Sequence, residues 1–116
     1  MLVVDDHPSF RRFVRRLLEA VGFRVVGEAA DGASALAAVR TVRPDVVLLD
    51  VLLPDTTGFE LAEALASEPK APVVVLISSR SAGDFDGLLA RSRARGFISK
   101  RDLTAAAFAE LVGGAV

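Results

Sequence analysis

Two runs of aliphatic residues without alternating polar positions constrain this 116-residue chain more than any other feature. Residues 46–49 read Val-Val-Leu-Leu, and residues 73–77 read Val-Val-Val-Leu-Ile. A strand with one face in water alternates apolar and polar side chains, whereas these runs are apolar on both faces. We therefore predict that both are central strands of a parallel sheet, covered by helices on its two sides.

Shorter strands and helical patterns alternate with these two runs along the chain. The remaining strands are predicted at residues 1–4, 23–27 and 96–99. Helices are predicted to begin near Pro8, Asp31, Gly58, Asp84 and Asp102, and to end near Gly22, before Pro44, and near Ser67, Arg93 and the pair Gly113-Gly114. Five alternations of strand and helix indicate a single α/β domain over residues 1–116 with a doubly wound parallel sheet.

Composition excludes several classes of function. Lys and Arg total 14 against 15 Asp and Glu, so the chain lacks the basic footprint of a nucleic-acid-binding domain. It has no cysteine, which removes disulfides and thiolate metal sites. No apolar run approaches the length of a membrane span, and no signal-peptide pattern precedes the first strand. We therefore expect a cytoplasmic protein without membrane contact.

Four of the five predicted strands end in polar or charged residues. These residues are Asp5 with Asp6, then Asp50, then Ser78 with Ser79, and finally Lys100. Because parallel strands present their carboxyl ends at one edge of the sheet, we expect the side chains to converge there. Neighbouring carboxylates repel one another unless a cation balances them, and oxygen donors without a His or Cys cluster favour Mg²⁺ or Mn²⁺.

A carboxylate beside a metal ion, an ammonium group and a hydroxyl is suited to covalent phosphoryl transfer. Asp50 is the candidate nucleophile because it follows a buried strand and precedes the turn that Pro54 and Gly58 enclose. Lys100 would neutralise phosphoryl oxygens, and Ser78 would donate a hydrogen bond to one of them.

Four segments together resemble the receiver domain of bacterial two-component response regulators, over essentially the full length of the chain. They are residues 2–7 (Leu-Val-Val-Asp-Asp-His), residues 50–58 (Asp-Val-Leu-Leu-Pro-Asp-Thr-Thr-Gly), the strand end at Ser78, and residues 96–100 (Gly-Phe-Ile-Ser-Lys). All four occur in order and at matching strand ends, which makes the combination specific. The pair Lys100-Arg101 is similar to the corresponding pair in receivers of the LuxR/NarL type, whose proteins carry a C-terminal helix-turn-helix.

The resemblance implies a flavodoxin-like sheet with strand order 2-1-3-4-5. It also implies a signalling switch that a sensor histidine kinase phosphorylates on Asp50. Such a chain is not an enzyme with an external substrate, since it catalyses only its own phosphorylation and slow dephosphorylation. Asp6, Asp50 and the Leu52 carbonyl would bind Mg²⁺ directly, and Asp5 would act largely through water.

The resemblance further implies how phosphorylation changes the molecule. Ser78 is expected to close onto the phosphoryl group, with Ser79 as the alternative hydroxyl. Phe97 matches the aromatic switch position and would turn inward through packing alone, which alters the face formed by the fourth helix, the fifth strand and the fifth helix. A homodimer and a C-terminal DNA-binding domain outside this chain are further partners that the family allows, and the receiver itself is not expected to contact nucleic acid.

Two other function classes remain open at this stage. A degenerate receiver would act as a phosphorylation-independent docking module, but the candidate residues Asp6, Asp50, Ser78 and Lys100 are all present. An aspartyl-phosphate phosphatase would place an acid two residues after the nucleophile to protonate the leaving group. That position is Leu52, which cannot donate a proton.

The remaining conspicuous residues are given structural interpretations. His7, the single histidine, is expected to be a loop residue near the site, and Asp55 is expected to shape the turn after Pro54. The arginines of the first helix could form a contact surface for an acidic partner, but a solvated face is the favoured interpretation: Arg11, Arg12, Arg15 and Arg16. For the arginines near the fifth strand both interpretations stay open: Arg91, Arg93 and Arg95.

Overall fold

The two aliphatic runs form the centre of the sheet, as predicted. In the computed structural model, which describes residues 1–113, they are the strands β3 (Val46–Asp50) and β4 (Val73–Ser78). The two strands pair in parallel, with Val46 opposite Val73 and Asp50 opposite Ile77. Nearly every side chain of both strands is buried, because helices cover the two faces of the sheet.

Five strands lie in the order β2-β1-β3-β4-β5, and every neighbouring pair is parallel. The outer strands are β1 (Leu2–Val4), β2 (Gly27–Ala29) and β5 (Gly96–Ser99). The helices are α1 (Pro8–Glu19), α2 (Gly32–Val42), α3 (Gly58–Ala66), α4 (Leu88–Arg91) and α5 (Ala105–Val112). The predicted fold class and strand order are therefore confirmed, and all carboxyl ends of the strands share one edge.

Alternate residues of the central strands supply two hydrophobic layers. Val47 and Leu49 of β3 belong to the layer that contains α2 and α3, whereas Leu48 belongs to the layer that contains α1 and α5. Phe108 of α5 is the largest side chain that is completely buried. This arrangement fixes the side of the sheet on which each strand side chain lies, and it therefore also fixes the positions of the polar side chains at the strand ends. Within residues 1–113, no helix combines the length and apolar character that a membrane span requires.

The second strand lies later in the chain than predicted. Residues 23–27 read as a strand, but β2 is Gly27–Ala29 and pairs with β1 from Gly27 opposite Leu2. Phe23 instead belongs to the loop after α1, where its ring packs edge-on against Phe108 at a centroid distance of 5.1 Å. An aromatic residue that we assigned to a strand therefore serves tertiary packing, which overrides its local preference.

The predicted helix over residues 84–93 is broken. The segment contains a 3₁₀ turn at Ala82–Phe85 and then the four-residue helix α4. Asp86 and Gly87 separate the two pieces, and both have positive φ angles, of 46° and 79°. A left-handed residue cannot continue a right-handed helix, so the helix cannot run through this point.

The last helix begins later than predicted. Asp102 lies in a 3₁₀ turn and accepts a hydrogen bond from the Ser99 hydroxyl at 2.7 Å, so it does not cap α5. Thr104 caps the helix instead, because its Oγ1 accepts a hydrogen bond from the Ala107 amide. Gly113 follows the end of α5, and the predicted stop at Gly114 lies outside the described residues.

The turn after β3 depends on Gly58, which begins α3. Its amide donates to the Val51 carbonyl at 2.6 Å, and a Cβ at this position would lie 2.6 Å from the Asp50 carbonyl oxygen. We expect Gly58→Ala to lower the free energy of unfolding by about 1–3 kcal/mol, because backbone must move to admit the methyl group. Urea unfolding measures the change.

Gly83→Ala is the matched control for this prediction. A Cβ at Gly83 meets no atom within 4 Å, and the residue is exposed, so we expect little change in stability. Equal effects of the two substitutions would contradict the role assigned to the close backbone contact at Gly58.

Candidate functional site

Residues from three strand ends meet in direct contact at the carboxyl edge of the sheet. Asp5 follows β1, Asp50 ends β3, and Lys100 follows β5. The Lys100 Nζ lies 2.6 Å from Asp5 Oδ2 and 3.3 Å from Asp50 Oδ2. Residues that are up to 95 positions apart in the sequence therefore form one charged group, because the parallel sheet aligns their strands.

Most of this charged group is removed from water. Asp5 is completely buried and Asp50 is 5% exposed, while the Lys100 side chain is 18% exposed. Although Asp5 Oδ2 is close to the ammonium, it has no donor in hydrogen-bonding geometry. Two buried carboxylates thus face one ammonium group, which leaves uncompensated negative charge if both are ionised.

The pKa values of the three groups reflect this shortage of positive charge. Burial, together with the neighbouring Asp5, raises the pKa of Asp50 to about 6. Burial also acts to raise the pKa of Asp5, but contacts with Lys100 and the His7 amide hold it below its ordinary value. For Lys100 the effect of burial, which would lower the pKa, is outweighed by the two carboxylates, and its pKa is raised.

The raised pKa of Asp50 makes stability depend on pH when no divalent ion is present. The folded chain favours the protonated Asp50 carboxyl. The stability that this preference contributes is therefore complete below about pH 4 and is lost as the pH rises through about 6. Asp50→Asn cannot ionise. We therefore expect the free energy of unfolding of this variant, relative to that of the wild type, to increase by on the order of 2 kcal/mol between about pH 4 and about pH 8.

Urea unfolding in the presence of a chelator, at both pH values, measures this difference. A difference between the two proteins that does not change with pH would show that the Asp50 carboxylate is not destabilised by its surroundings.

Asp6 and His7 complete the group on its solvent side. The His7 Nδ1 lies 3.0 Å from Asp6 Oδ1 and 3.1 Å from Asp5 Oδ1. Ligand atoms of Asp5, Asp6, His7 and Asp50 all lie within 4.8 Å of one another. Several carboxylate oxygens gathered beside a single ammonium group form a set that fits a hard divalent cation.

Leu52 and Ser78 lie next to Asp50 in different ways. The Leu52 amide donates to Asp50 Oδ1 at 3.2 Å, and its side chain is 49% exposed. Ser78 is buried at the end of β4, one residue beyond the partner of Asp50 in the sheet, and its Oγ accepts a hydrogen bond from the Arg80 amide. Ser79 is exposed. Burial at the strand end therefore distinguishes Ser78 from Ser79.

Phe97 of β5 already packs against other aromatic rings. It lies edge-on to Phe85, with 5.7 Å between the ring centroids, and Phe85 in turn contacts Phe59 of α3 at 5.5 Å. The predicted switch residue thus belongs to a row of three rings that connects β5 with α3 through the 3₁₀ turn before α4.

Three residues near the site have contacts that the sequence did not reveal. The Asp55 carboxylate accepts hydrogen bonds from the Gly32 and Ala33 amides, at 2.7 and 3.1 Å. From the turn after β3 it therefore caps the N-terminus of α2. The Phe10 ring lies 4.3 Å from the Lys100 Nζ and makes a cation–π contact. Neither contact leaves a local signal in the sequence.

Arg11 is the third such residue, and its interpretation as part of a solvated face was wrong. Its guanidinium donates to the Asp5 carbonyl at 2.6 Å and to the Glu28 carboxylate of β2 at 2.9 Å. Arg15 also pairs with Glu28. Arg12 and Arg16 are exposed, in agreement with the prediction.

Comparison with protein families gives a match over most of the chain. The model of the response regulator receiver domain matches residues 1–108. A transcriptional regulator of Pseudomonas aeruginosa is 38% identical over 102 residues, which cover 88% of this chain and 49% of that protein. The regulatory protein TcrX of Mycobacterium tuberculosis is 44% identical over 85 residues, which cover 72% of this chain and 36% of that protein. The chain therefore spans about half the length, or less, of these relatives.

Solved structures agree with this match. The receiver domain of the response regulator NarL from Mycobacterium tuberculosis is 36% identical, with a TM-score of 0.83 over 97% of this chain and 94% of that one. A CheY-like receiver domain from Methylobacillus flagellatus is 26% identical, with a TM-score of 0.85 over 99% and 96%. Sequence, strand order and the acidic group at the sheet edge lead to the same result: the chain belongs to the receiver domain family of two-component response regulators.

Proposed function

We propose that residues 1–116 form one receiver domain in which Asp50 accepts a phosphoryl group from a sensor histidine kinase in a Mg²⁺-dependent reaction. The observation that carries this proposal is the position of the Asp50 carboxylate. It is buried at a strand end, in contact with Lys100 and beside Asp5 and Asp6. A turn or capping carboxylate has no need of such surroundings, whereas a nucleophile that will carry phosphate does.

Mg²⁺ would be held by Asp6, Asp50 and the Leu52 carbonyl, with Asp5 acting largely through water. This donor set consists of hard oxygens, which suits Mg²⁺ and leaves room for phosphoryl oxygens. The bound ion would supply the positive charge that the buried carboxylates lack, and it would offset the charge of the incoming phosphoryl group.

The chain's own residues would then perform the transfer. An oxygen of the ionised Asp50 forms a bond to phosphorus while the bond from phosphorus to the kinase imidazole breaks, and the imidazole nitrogen keeps the electron pair. Lys100, already within reach of Asp50 Oδ2, shifts its ammonium to the new phosphoryl oxygens. Ser78 turns its hydroxyl from the Arg80 amide toward the phosphoryl group.

Movement of Ser78 would be transmitted to the surface through Phe97. The Phe97 ring packs on Phe85, so an inward turn requires rearrangement of this aromatic contact and of the short α4 beside it. The face formed by α4, β5 and α5 would change in consequence. Because Phe97 has no hydroxyl, the switch works through packing alone.

The partners beyond the kinase are inferred from the relatives. The chain spans about half of regulators such as the Pseudomonas aeruginosa protein and the DNA-binding transcriptional activator EvgA of Escherichia coli. We infer that this receiver acts in a longer regulator with a C-terminal DNA-binding domain, and that its α4-β5-α5 face contacts either this domain or a second receiver.

Incubation with acetyl phosphate and Mg²⁺, followed by intact-mass measurement, tests the proposed function. We expect the mass of one phosphoryl group to be added, and none in the presence of a chelator. A degenerate receiver predicts no added mass under either condition. A phosphatase needs an acid at position 52, and the apolar side chain of Leu52 cannot provide one.

Leu52 also gives a prediction about the lifetime of the phosphorylated state. Its half-exposed apolar side chain lies beside Asp50 and cannot orient a hydrolytic water molecule. We expect slow dephosphorylation in the wild type and decay that is faster by roughly 3–10-fold in Leu52→Asn, because an amide can hydrogen-bond to that water. The decay of the added mass over time measures both rates, and slower decay of the variant would contradict this role.

A further inference from the structure

His7 has no role in the function proposed above, although it is the only histidine in the chain. Its side chain is 66% exposed, yet its Nδ1 is not directed into solvent. The nitrogen lies 3.0 Å from Asp6 Oδ1 and 3.1 Å from Asp5 Oδ1, on the open side of the carboxylate group. His7 Nδ1 is thus a further potential metal ligand beside the Asp5 and Asp6 carboxylates.

The 3.0 Å separation of His7 Nδ1 from Asp6 Oδ1 is that of two neighbouring ligands around one octahedral ion. Two ligands at right angles, each about 2.1 Å from the metal, are about 3.0 Å apart. The backbone of His7 is also held in place, because its amide donates to Asp5 Oδ1 at 2.8 Å. The turn from Asp5 to His7 is therefore fixed before any ion binds, and the imidazole needs no large movement to become a ligand.

The excess of negative charge is an independent indication that a cation belongs here. Asp5 is completely buried, and its Oδ2 faces the Lys100 ammonium at 2.6 Å, on the side away from His7. Lys100 is the only cationic side chain, among residues 1–113, within ion-pair distance of both Asp5 and Asp50. One ammonium cannot balance Asp5, Asp6 and Asp50 together.

We propose that His7 is an additional ligand of the divalent ion at the phosphorylation site and gives this receiver a preference for transition metals over Mg²⁺. The proposal rests on the function proposed above, since it places the ion among Asp5, Asp6 and Asp50. Carboxylate and carbonyl oxygens suit Mg²⁺, whereas imidazole nitrogen strengthens the binding of ions such as Co²⁺ much more than that of Mg²⁺.

The competing account is that His7 only forms hydrogen bonds. Coordination uses the Nδ1 lone pair, with the ring proton on Nε2, whereas a hydrogen bond to a carboxylate uses a proton on Nδ1. The two accounts differ in their consequences for metal selectivity. A ligand nitrogen changes the affinity ratio of Co²⁺ to Mg²⁺, while a hydrogen-bonding histidine changes the two affinities alike or not at all.

Titration calorimetry on untagged, chelator-treated chain, with Mg²⁺ alone and Co²⁺ alone, separates these accounts. We expect His7→Ala and His7→Gln to raise the Kd for Co²⁺ by about 10-fold or more and the Kd for Mg²⁺ by less than about 3-fold. In the wild type, Co²⁺ should also move the ring-proton NMR signals of the single imidazole far outside the diamagnetic range, by a contact shift through the metal–nitrogen bond. A ring that only lies near the ion receives the smaller through-space shift.

Equal weakening of both metals by the His7 variants, or no weakening of either, would overturn the proposal. Imidazole signals that show only the smaller through-space shift, or none, would do the same. Asp6→Asn serves as the separate test of the metal site itself. It should weaken Mg²⁺ and Co²⁺ together, and unchanged Mg²⁺ binding in this variant would contradict the metal site of the proposed function, whatever His7 does.

Discussion

Asp50→Asn should take up a phosphoryl group from acetyl phosphate and Mg²⁺ at a rate at least about 100-fold below that of the wild type. The amide oxygen is a much weaker nucleophile than a carboxylate, and it carries no charge to bind Mg²⁺. No neighbour can replace it in the same place, because Asp5 is buried against Lys100. Intact-mass measurement over time gives the rate for each protein.

Asp45→Asn is the matched control, since Asp45 directly precedes the same strand but lies exposed at the opposite edge of the sheet. It should be phosphorylated at the wild-type rate. Equal phosphorylation of Asp50→Asn and the wild type would show that the phosphoryl group is carried elsewhere.

Lys100→Met should impair both stability and phosphorylation. In chelator at about pH 8, where both carboxylates tend to ionise, the variant leaves Asp5 and Asp50 without a cation, and we expect the free energy of unfolding to fall by about 2 kcal/mol. Mg²⁺ should restore part of this loss, because it binds only the folded site. The rate of phosphorylation should fall by about 100-fold, since the charge on the phosphoryl oxygens loses a fixed partner.

Lys70→Met provides the control, because Lys70 is the only other lysine and is exposed. Urea unfolding with and without Mg²⁺ and intact-mass kinetics give the two readouts. A Lys100→Met protein with the stability and phosphorylation rate of Lys70→Met would refute the role of the ammonium group.

The parts of the fold that could be predicted are those in which one strong local pattern decides the structure. The aliphatic runs of β3 and β4 admit only a strand that is buried on both faces, and their parallel pairing brings the polar strand ends together. The contact of Lys100 with Asp5 and Asp50 follows from topology, without any knowledge of side-chain conformation. Sequence therefore indicates which residues meet at the edge of the sheet.

The parts that could not be predicted depend on partners that are distant in sequence. Asp55 caps α2 from a loop more than 20 residues away, and Phe10 contacts Lys100 across the site. Phe23 has the composition of a strand residue but packs on Phe108 from a loop. The left-handed conformation of Asp86 breaks a helix that the apolar spacing alone would allow. In each case tertiary contacts or backbone geometry outweigh local preference.

The central claim is that separate strand ends form one acidic pocket in which Mg²⁺ and Asp50 together accept a phosphoryl group. Borohydride reduces an acyl phosphate to the alcohol, so it converts a phosphorylated aspartate to homoserine, which peptide mass spectrometry locates. After treatment of the wild type with acetyl phosphate, we predict homoserine at position 50 with Mg²⁺ and none with chelator. Homoserine at another aspartate, or at position 50 regardless of Mg²⁺, would contradict the claim.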